Sequence, residues 1–554
     1  MMFSRRILQA PVWTAALIVI CGTASCRPKD KVATPAGSGG SGGSSTGAYG
    51  GSGGTASAGG TTSSTAGTQS TGGTTSSSTG GTTSSSTGGA GGSSGTGGSG
   101  GTGGTGGVGG TKNTGGTTVT GGAGNAGGAG GASGAGGTSL IPDAAPDTVD
   151  ATPPPSRGPT PATTGHNFPF PQNRENSRCI YPKLYRNEDV QTIYTQWKND
   201  TVTSDGAKGF RRVKRPKEPG LDANSTVSEG IGYGMLIAVY MDDQTLFDDL
   251  WQYEQTQLDG RYGLMNWYIK ADGSGPADNP SGVGPATDAD EDMAYALIMA
   301  DKQWGGQGKL SKNYLDFAKA QMSAVWNNEI YNFIYLRAGP WADNSNLNIS
   351  YFAPSYYKVF ATIDKTPTSD WVKVTDTMYT VLNASLNSTN GNTTNGLVPA
   401  WCDSSGKPNG GAFGPTGGPS PTNYQYDSCR TPFRVGLDWC LNGDTRAQTY
   451  VAKTSGFFSG TVGGATKIVD GYDLNGTSHA QYQTGANALV QSAAFVGPAG
   501  VGAMSSPTYQ TFVNDAYGVL VTGKAVVGGT YYDDSWMVMS LLTMTANFLD
   551  YTKI

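Results

Sequence analysis

Twelve segments with helical spacing of apolar residues lie between residues 187 and 550, joined by long connections rich in Gly and aromatic side chains. No strand ladder is legible among them. That pattern predicts an all-α domain of six helical hairpins closed into an α/α barrel. In chain order the segments are 187–200, 228–241, 245–256, 289–304, 311–326, 354–363, 368–387, 431–442, 445–459, 483–498, 507–520 and 533–550. In the fourth, Met293, Leu297, Ala300 and Trp304 mark one apolar face at i, i+4, i+7 and i+11. Asp288 stands just ahead of it as a cap, and Gly305-Gly306 ends it. Pro432 suits the first turn of the eighth.

The chain ahead of this domain has another composition. Only 14% of the 554 residues are charged, against roughly 25% in an ordinary globular protein. Of the 87 Gly, 44 fall between Gly37 and Gly137, among Ser and Thr. Such a segment buries too little apolar surface to offset chain entropy, so residues 27–165 read as a disordered linker, Pro-rich towards its end. Before it, Arg5-Arg6, an apolar run from Ala15 to Ile20 and the small residues before Cys26 read as a signal peptide over 1–26. Thr23-Ala24-Ser25-Cys26 resembles a lipobox with Thr in place of an aliphatic residue. Lipidation at Cys26 and simple secretion both stand, with a lipid anchor as the only route to a membrane.

Residues 166–554 hold 29 basic and 37 acidic groups, without a basic stripe, which argues against nucleic acid as a partner. With His166 and His479 alone, no His-rich metal site is possible. Cys179, Cys402, Cys429 and Cys440 lack CxxC spacing. Cys429 and Cys440 are eleven residues apart across a helix, too far to bridge each other. Pairing of Cys402 with Cys429 is the more plausible bridge, set against plain buried thiols.

Three carboxyl groups share a context. Glu229 follows Ser228 and precedes Gly230-Ile231-Gly232-Tyr233; Asp288 follows Ala286-Thr287; Asp427 follows Tyr424-Gln425-Tyr426 and precedes Ser428-Cys429-Arg430. Each lies at the start of a helix, and in a ring of hairpins equivalent helix ends gather on one rim. Singly, each reads as a cap favoured by the helix dipole. Together they read as a site. Hydrolysing an acetal needs a protonated carboxyl for the leaving oxygen and an ionised one to activate water. Arg430 favours the ionised form of Asp427.

The run from Ala286 to Trp304 resembles the signature of glycoside hydrolase family 8, with support from Ser228 to Met235, Met265-Asn266-Trp267, Ser350 to Tyr357 and Tyr426 to Arg434. The resemblance implies an (α/α)6 barrel and inverting endo-hydrolysis of a β-1,4-linked polysaccharide without cofactor or metal. It implies Glu229 as general acid, Asp427 as general base and Asp288 as the group that binds and distorts the sugar. The endoglucanase branch fits best. A xylanase or exopolysaccharide-trimming enzyme of the same fold, and a non-catalytic carbohydrate-binding protein, are the alternatives. Cys429 departs from the small residue expected there.

Aromatic residues in the connections, Trp267, Tyr268, Trp341, Tyr351, Tyr356, Trp401 and Tyr424, suit either sugar stacking or the core. Tyr233, Tyr426 and Arg430 complete the expected substrate-binding set, with Tyr426 placed to orient the water. Asp288 to Asp292 opens like a calcium loop, but Met293 and Met299 stand where Gly and Glu are needed. Gly230, Gly232 and Gly234 follow no strand and do not form a dinucleotide fingerprint. They let substrate or a neighbouring helix approach the backbone. The reading is a monomeric enzyme, secreted or on the outer surface of a bacterium.

Overall fold

A computed structural model describes residues 166–216, 223–278, 280–366, 368–409, 422–479, 491–522 and 530–554. The expected signal peptide, Cys26 and the linker lie outside the described residues.

Twelve α-helices are present among them: α1 (Asn187–Thr201), α2 (Ser228–Tyr240), α3 (Gln244–Gln255), α4 (Thr287–Gln303), α5 (Tyr314–Glu329), α6 (Pro354–Ile363), α7 (Trp371–Ser385), α8 (Thr431–Asn442), α9 (Thr445–Gly456), α10 (Ala493–Ala503), α11 (Gln510–Val521) and α12 (Tyr531–Met544). The even-numbered helices form the inner ring. Each packs on the next, α2 on α4, α4 on α6, α6 on α8, α8 on α10 and α10 on α12, and α12 returns to α2. The odd-numbered helices back them from outside, giving an (α/α)6 barrel.

Burial explains why the two rings differ in sequence. The outer α1 buries Val190, Tyr194, Trp197 and Thr201, a single stripe at helical spacing. The inner α10 and α12 are buried on every side, and α10 carries no charged residue at all. Small residues let the inner helices close up. A Cβ on Gly436 of α8 would lie 3.1 Å from the Gly502 Cα of α10, and one on Gly232 would lie 3.1 Å from the Ala289 carbonyl oxygen of α4. Gly232 therefore serves a neighbouring helix.

Three of the sequence expectations need correction. Short antiparallel ladders do exist: β1 (Val202–Thr203) with β2 (Arg212–Val213), β3 (Thr226–Val227) with β4 (Tyr268–Ile269), and β5 (Ile330–Tyr331) with β6 (Tyr335–Leu336). Two-residue strands are too short for alternation to show. The tenth helix runs from Ala493 through Pro498 to Ala503, later than expected, while the early part of the expected 483–498 lies outside the described residues. The twelfth stops at Met544, because Ala546 turns left-handed at φ 56° and the Asn547 and Phe548 N–H groups fold back onto the Leu542 carbonyl.

The cysteine pairing differs as well. Cys179 is bonded to Cys440 across 261 residues, and Cys402 and Cys429 are free and buried. Cys429 Sγ sits 3.3 Å from the Tyr426 carbonyl, and Cys402 is held in backbone bridges to Leu347 and Pro408. The bridge belongs to the segment leading into α1, which crosses the carboxyl-terminal ends of the inner helices. His166 Nδ1 meets Asp242 Oδ1 at 2.8 Å just past α2, and Phe168 N–H donates to Gln303 Oε1 at 2.7 Å at the end of α4.

Candidate active site

At the opposite end of the barrel the starts of α2, α4 and α8 converge. Glu229 and Asp288 sit in the first turns of α2 and α4, and Asp427 in the turn that leads into α8. None is a cap. The cap positions belong to Val227, Ala286 and Arg430, and none of these makes a side-chain cap bond. Asp288 lies inside its helix instead of ahead of it. The pairing of β3 with β4 fixes the approach to α2, since the Ser228 N–H donates to the Trp267 carbonyl at 2.8 Å.

One guanidinium joins the three carboxyl groups. Arg430, 1% exposed, donates through Nη1 to Glu229 Oε1 and, at 2.8 Å, to Asp288 Oδ2. Its Nη2 lies 3.7 Å from Asp427 Oδ1. Ser350 Oγ accepts from Nε at 2.9 Å, and the Tyr351 ring lies beneath the guanidinium at 4.8 Å, so Arg430 has little freedom to move. Glu229 is held by two phenols besides: Tyr233 donates to Oε1 and Tyr531 to Oε2, each at 2.6 Å. Asp427 Oδ2 accepts from Trp401 Nε1 and Gln425 Nε2, each at 3.3 Å.

Three carboxyl groups around one cation cannot all ionise cheaply in a buried setting. Burial first, and then the charge of Glu229, push the Asp288 carboxyl up to about 8, against the pull of Arg430. Asp427 is also raised. Burial outweighs Arg430, which reverses the expected direction.

The aromatic residues separate into groups. Tyr233 acts through its hydroxyl, its ring being fully buried. Trp401 is 1% exposed and packs beside Tyr351 and the half-buried Trp341, with ring centres 6.2 and 6.4 Å away. Trp267 borders the start of α2, its Nε1 donating to the Ser281 carbonyl at 2.8 Å. Tyr268 is buried under Arg215, and Tyr424 is buried against Phe495. Tyr356 lies deeper, stacked on Tyr295 at 3.8 Å. The Tyr426 hydroxyl reaches Asp470 at 3.4 Å.

Ser350, Gln425 and Tyr531 were not singled out from sequence. Tyr531 has the same signal as the carboxyl groups, being the first residue of its helix.

A sequence profile of the Glycosyl hydrolases family 8 matches residues 169–546. The chain belongs to that family. Endoglucanase 2 of Ruminiclostridium josui is 35% identical over 394 residues, covering 70% of this chain and 78% of that protein. Endoglucanase A of Acetivibrio thermocellus is 36% identical over 362 residues, covering 65% and 69%. Among solved structures, a β-1,3-1,4-glucanase from Paenibacillus sp. X4 superimposes with a TM-score of 0.59 at 30% identity, over 70% of this chain and 99% of that one. Membership in family 8 makes the chain a glycoside hydrolase, an enzyme with a polysaccharide substrate.

Proposed function

We propose that this family 8 enzyme cleaves β-1,4 bonds within a glucan chain such as cellulose, with inversion at the anomeric carbon. The observation that carries the assignment is the convergence of Glu229, Asp288 and Asp427 on Arg430 at one rim of the barrel. Glu229 is the general acid. It shares Arg430 Nη1 with Asp288, and Tyr233 and Tyr531 hold its two oxygens, so its carboxyl is fixed in place toward the departing oxygen. Asp288 then holds the sugar at the cleavage point by hydrogen bonding. Asp427, across the guanidinium from Glu229, is the base that takes a proton from water. Inversion requires acid and base ~6.5–9.5 Å apart, leaving room for that water. Trp341, half-buried beside Trp401, supplies a ring face for the glucan, while Tyr351 backs the guanidinium.

The endoglucanase relatives support a glucan over a xylan. The test is the anomer first released from a β-linked glucan oligosaccharide, read by NMR before mutarotation. An α product is expected; a β product recasts one carboxylate as a nucleophile and overturns the assignment.

The Cys179–Cys440 bridge supports an oxidising, extracytoplasmic location, in keeping with a signal peptide over 1–26 and a linker over 27–165. We read the enzyme as a monomer held at the outer surface by a lipid on Cys26. Cys26→Ala should release it from membranes into the medium; unchanged partitioning between the two fractions sinks the lipid anchor.

A further inference from the structure

Asp427 lies outside any helix, in the turn between Tyr424 and α8, so helical geometry does not fix which oxygen faces the substrate. Gln425, itself 1% exposed, grips it twice. The Gln425 side-chain Oε1 accepts the Asp427 backbone N–H at 2.9 Å, and its Nε2 donates to Asp427 Oδ2 at 3.3 Å. Trp401 Nε1 donates to the same Oδ2 at 3.3 Å. The Gln425 carbonyl accepts the N–H groups of Ser428 at 2.7 Å and Cys429 at 2.9 Å, so the residue that holds the carboxylate also closes the turn beneath it.

We propose that Gln425 is the positioning residue of the general base. With Trp401 it occupies Oδ2 of Asp427, so that Oδ1 is the oxygen that receives the proton of the attacking water. The amide suits this task because it offers an acceptor and a donor on one rigid plane, matching the backbone N–H and the carboxylate of the same residue. Four titratable or charged groups surround Asp427 besides: Arg430 3.7 Å from Oδ1, Glu229 across it, and the Tyr351 hydroxyl and Cys429 thiol nearby.

The proposal rests on Asp427 being the base, and the experiment separates the two claims by comparing Gln425→Leu, Gln425→Glu and Asp427→Asn on a soluble glucan. Gln425→Leu removes both contacts, and a loosened base should lower kcat by roughly 10- to 100-fold while KM stays nearly constant. Gln425→Glu keeps the acceptor for the Asp427 N–H but sets a second carboxylate against Oδ2. That disfavours ionised Asp427, so the acidic limb of the kcat profile should move to higher pH. A residue with only a structural task would not move that limb. Wild-type kcat in Gln425→Leu, or an unmoved limb in Gln425→Glu, overturns the clamp. An active Asp427→Asn overturns the base assignment instead. If Gln425→Leu does not fold, the limb shift in Gln425→Glu decides alone.

Discussion

Arg430, at the cap position of α8, and Arg434, in its first turn, are both almost fully buried, and each is ringed by carboxyl groups. Arg430 serves Glu229, Asp288 and Asp427. Arg434 serves Asp292 at 2.8 Å and Glu291 at 3.1 Å. In both tiers the carboxyl groups outnumber the cation. Burial is the first cause in both, raising Asp288 above and Glu291 and Asp292 below. What separates the tiers is access. The side chains of Glu229 and Asp427 each keep 13% of their surface, against 0% for Glu291 and 1% for Asp292. A buried carboxyl group raised by desolvation beside a guanidinium is thus not enough to make a site. The tier that keeps an exposed edge is the one proposed to meet substrate, whereas the other is closed off by packing.

Removing the chemistry from the open tier should have the largest effect. Glu229→Gln and Asp427→Asn should each lower kcat on polysaccharide by ~10²–10⁴-fold with unfolding midpoints nearly unchanged. They should differ on an activated aryl glycoside, if one is accepted, where the leaving group needs no proton. There Glu229→Gln should recover activity and Asp427→Asn should not. Azide should rescue only the latter, giving a glycosyl azide of α configuration. Equal behaviour of the two variants on both substrates would break the assignment of roles.

Breaking the closed tier should read out as stability. Arg434→Met strands Asp292 and Glu291 without a partner and should cost about 3–5 kcal/mol in urea unfolding, the usual penalty for halving a buried ion pair. Replacing the lower carboxyl groups by apolar residues at the same time should return much of that loss. A single variant that keeps its unfolding midpoint but loses kcat would show the lower tier to be catalytic after all.

A smaller effect sharpens the role of burial. Glu254 on α3 is fully buried outside both tiers, and desolvation pushes it up to about 8. Its folded value lies above its unfolded one, so the folded chain binds the proton more tightly. The resulting stability is complete below the ordinary carboxyl range and is lost as pH rises through about 8. Asp288 and Glu329, likewise at about 8, act in the same direction. The unfolding midpoint should therefore fall between about pH 5 and 9, and Glu254→Gln should flatten part of that slope. An unchanged slope in the variant would remove Glu254 from the account.

The amphipathic stripes of the outer helices and the apolar runs of the inner ones were legible as twelve helices, because periodicity is a local property. Glu229, Asp288 and Asp427 were legible through their shared place at helix starts. What they touch was not. Tyr531 reaches Glu229 across 302 residues, and Cys179 reaches Cys440 across 261, distances at which spacing carries no information. Tyr356 offered an aromatic ring in a connection, yet the ring closes against Tyr295 in the core, since composition cannot tell which face of a ring is covered. Asp427 beside Arg430 suggested an easily ionised carboxyl. The pair is adjacent, but burial had no signature in four residues of sequence.

The crossing of the segment from His166 to Cys179 over the carboxyl-terminal ends of α2, α4 and α8 has a consequence for how this enzyme can be mounted. The carboxyl groups stand at the other ends of these helices. α2 has 13 residues and α4 has 17, so attachment point and cleft are separated by about 20–25 Å of helix length. Coupled to a bead, an electrode or a second protein at residues 166–179 themselves, without the residues before them, the barrel presents the rim of Glu229, Asp288 and Asp427 outward. A polymer too large to diffuse past the support still meets the cleft head-on.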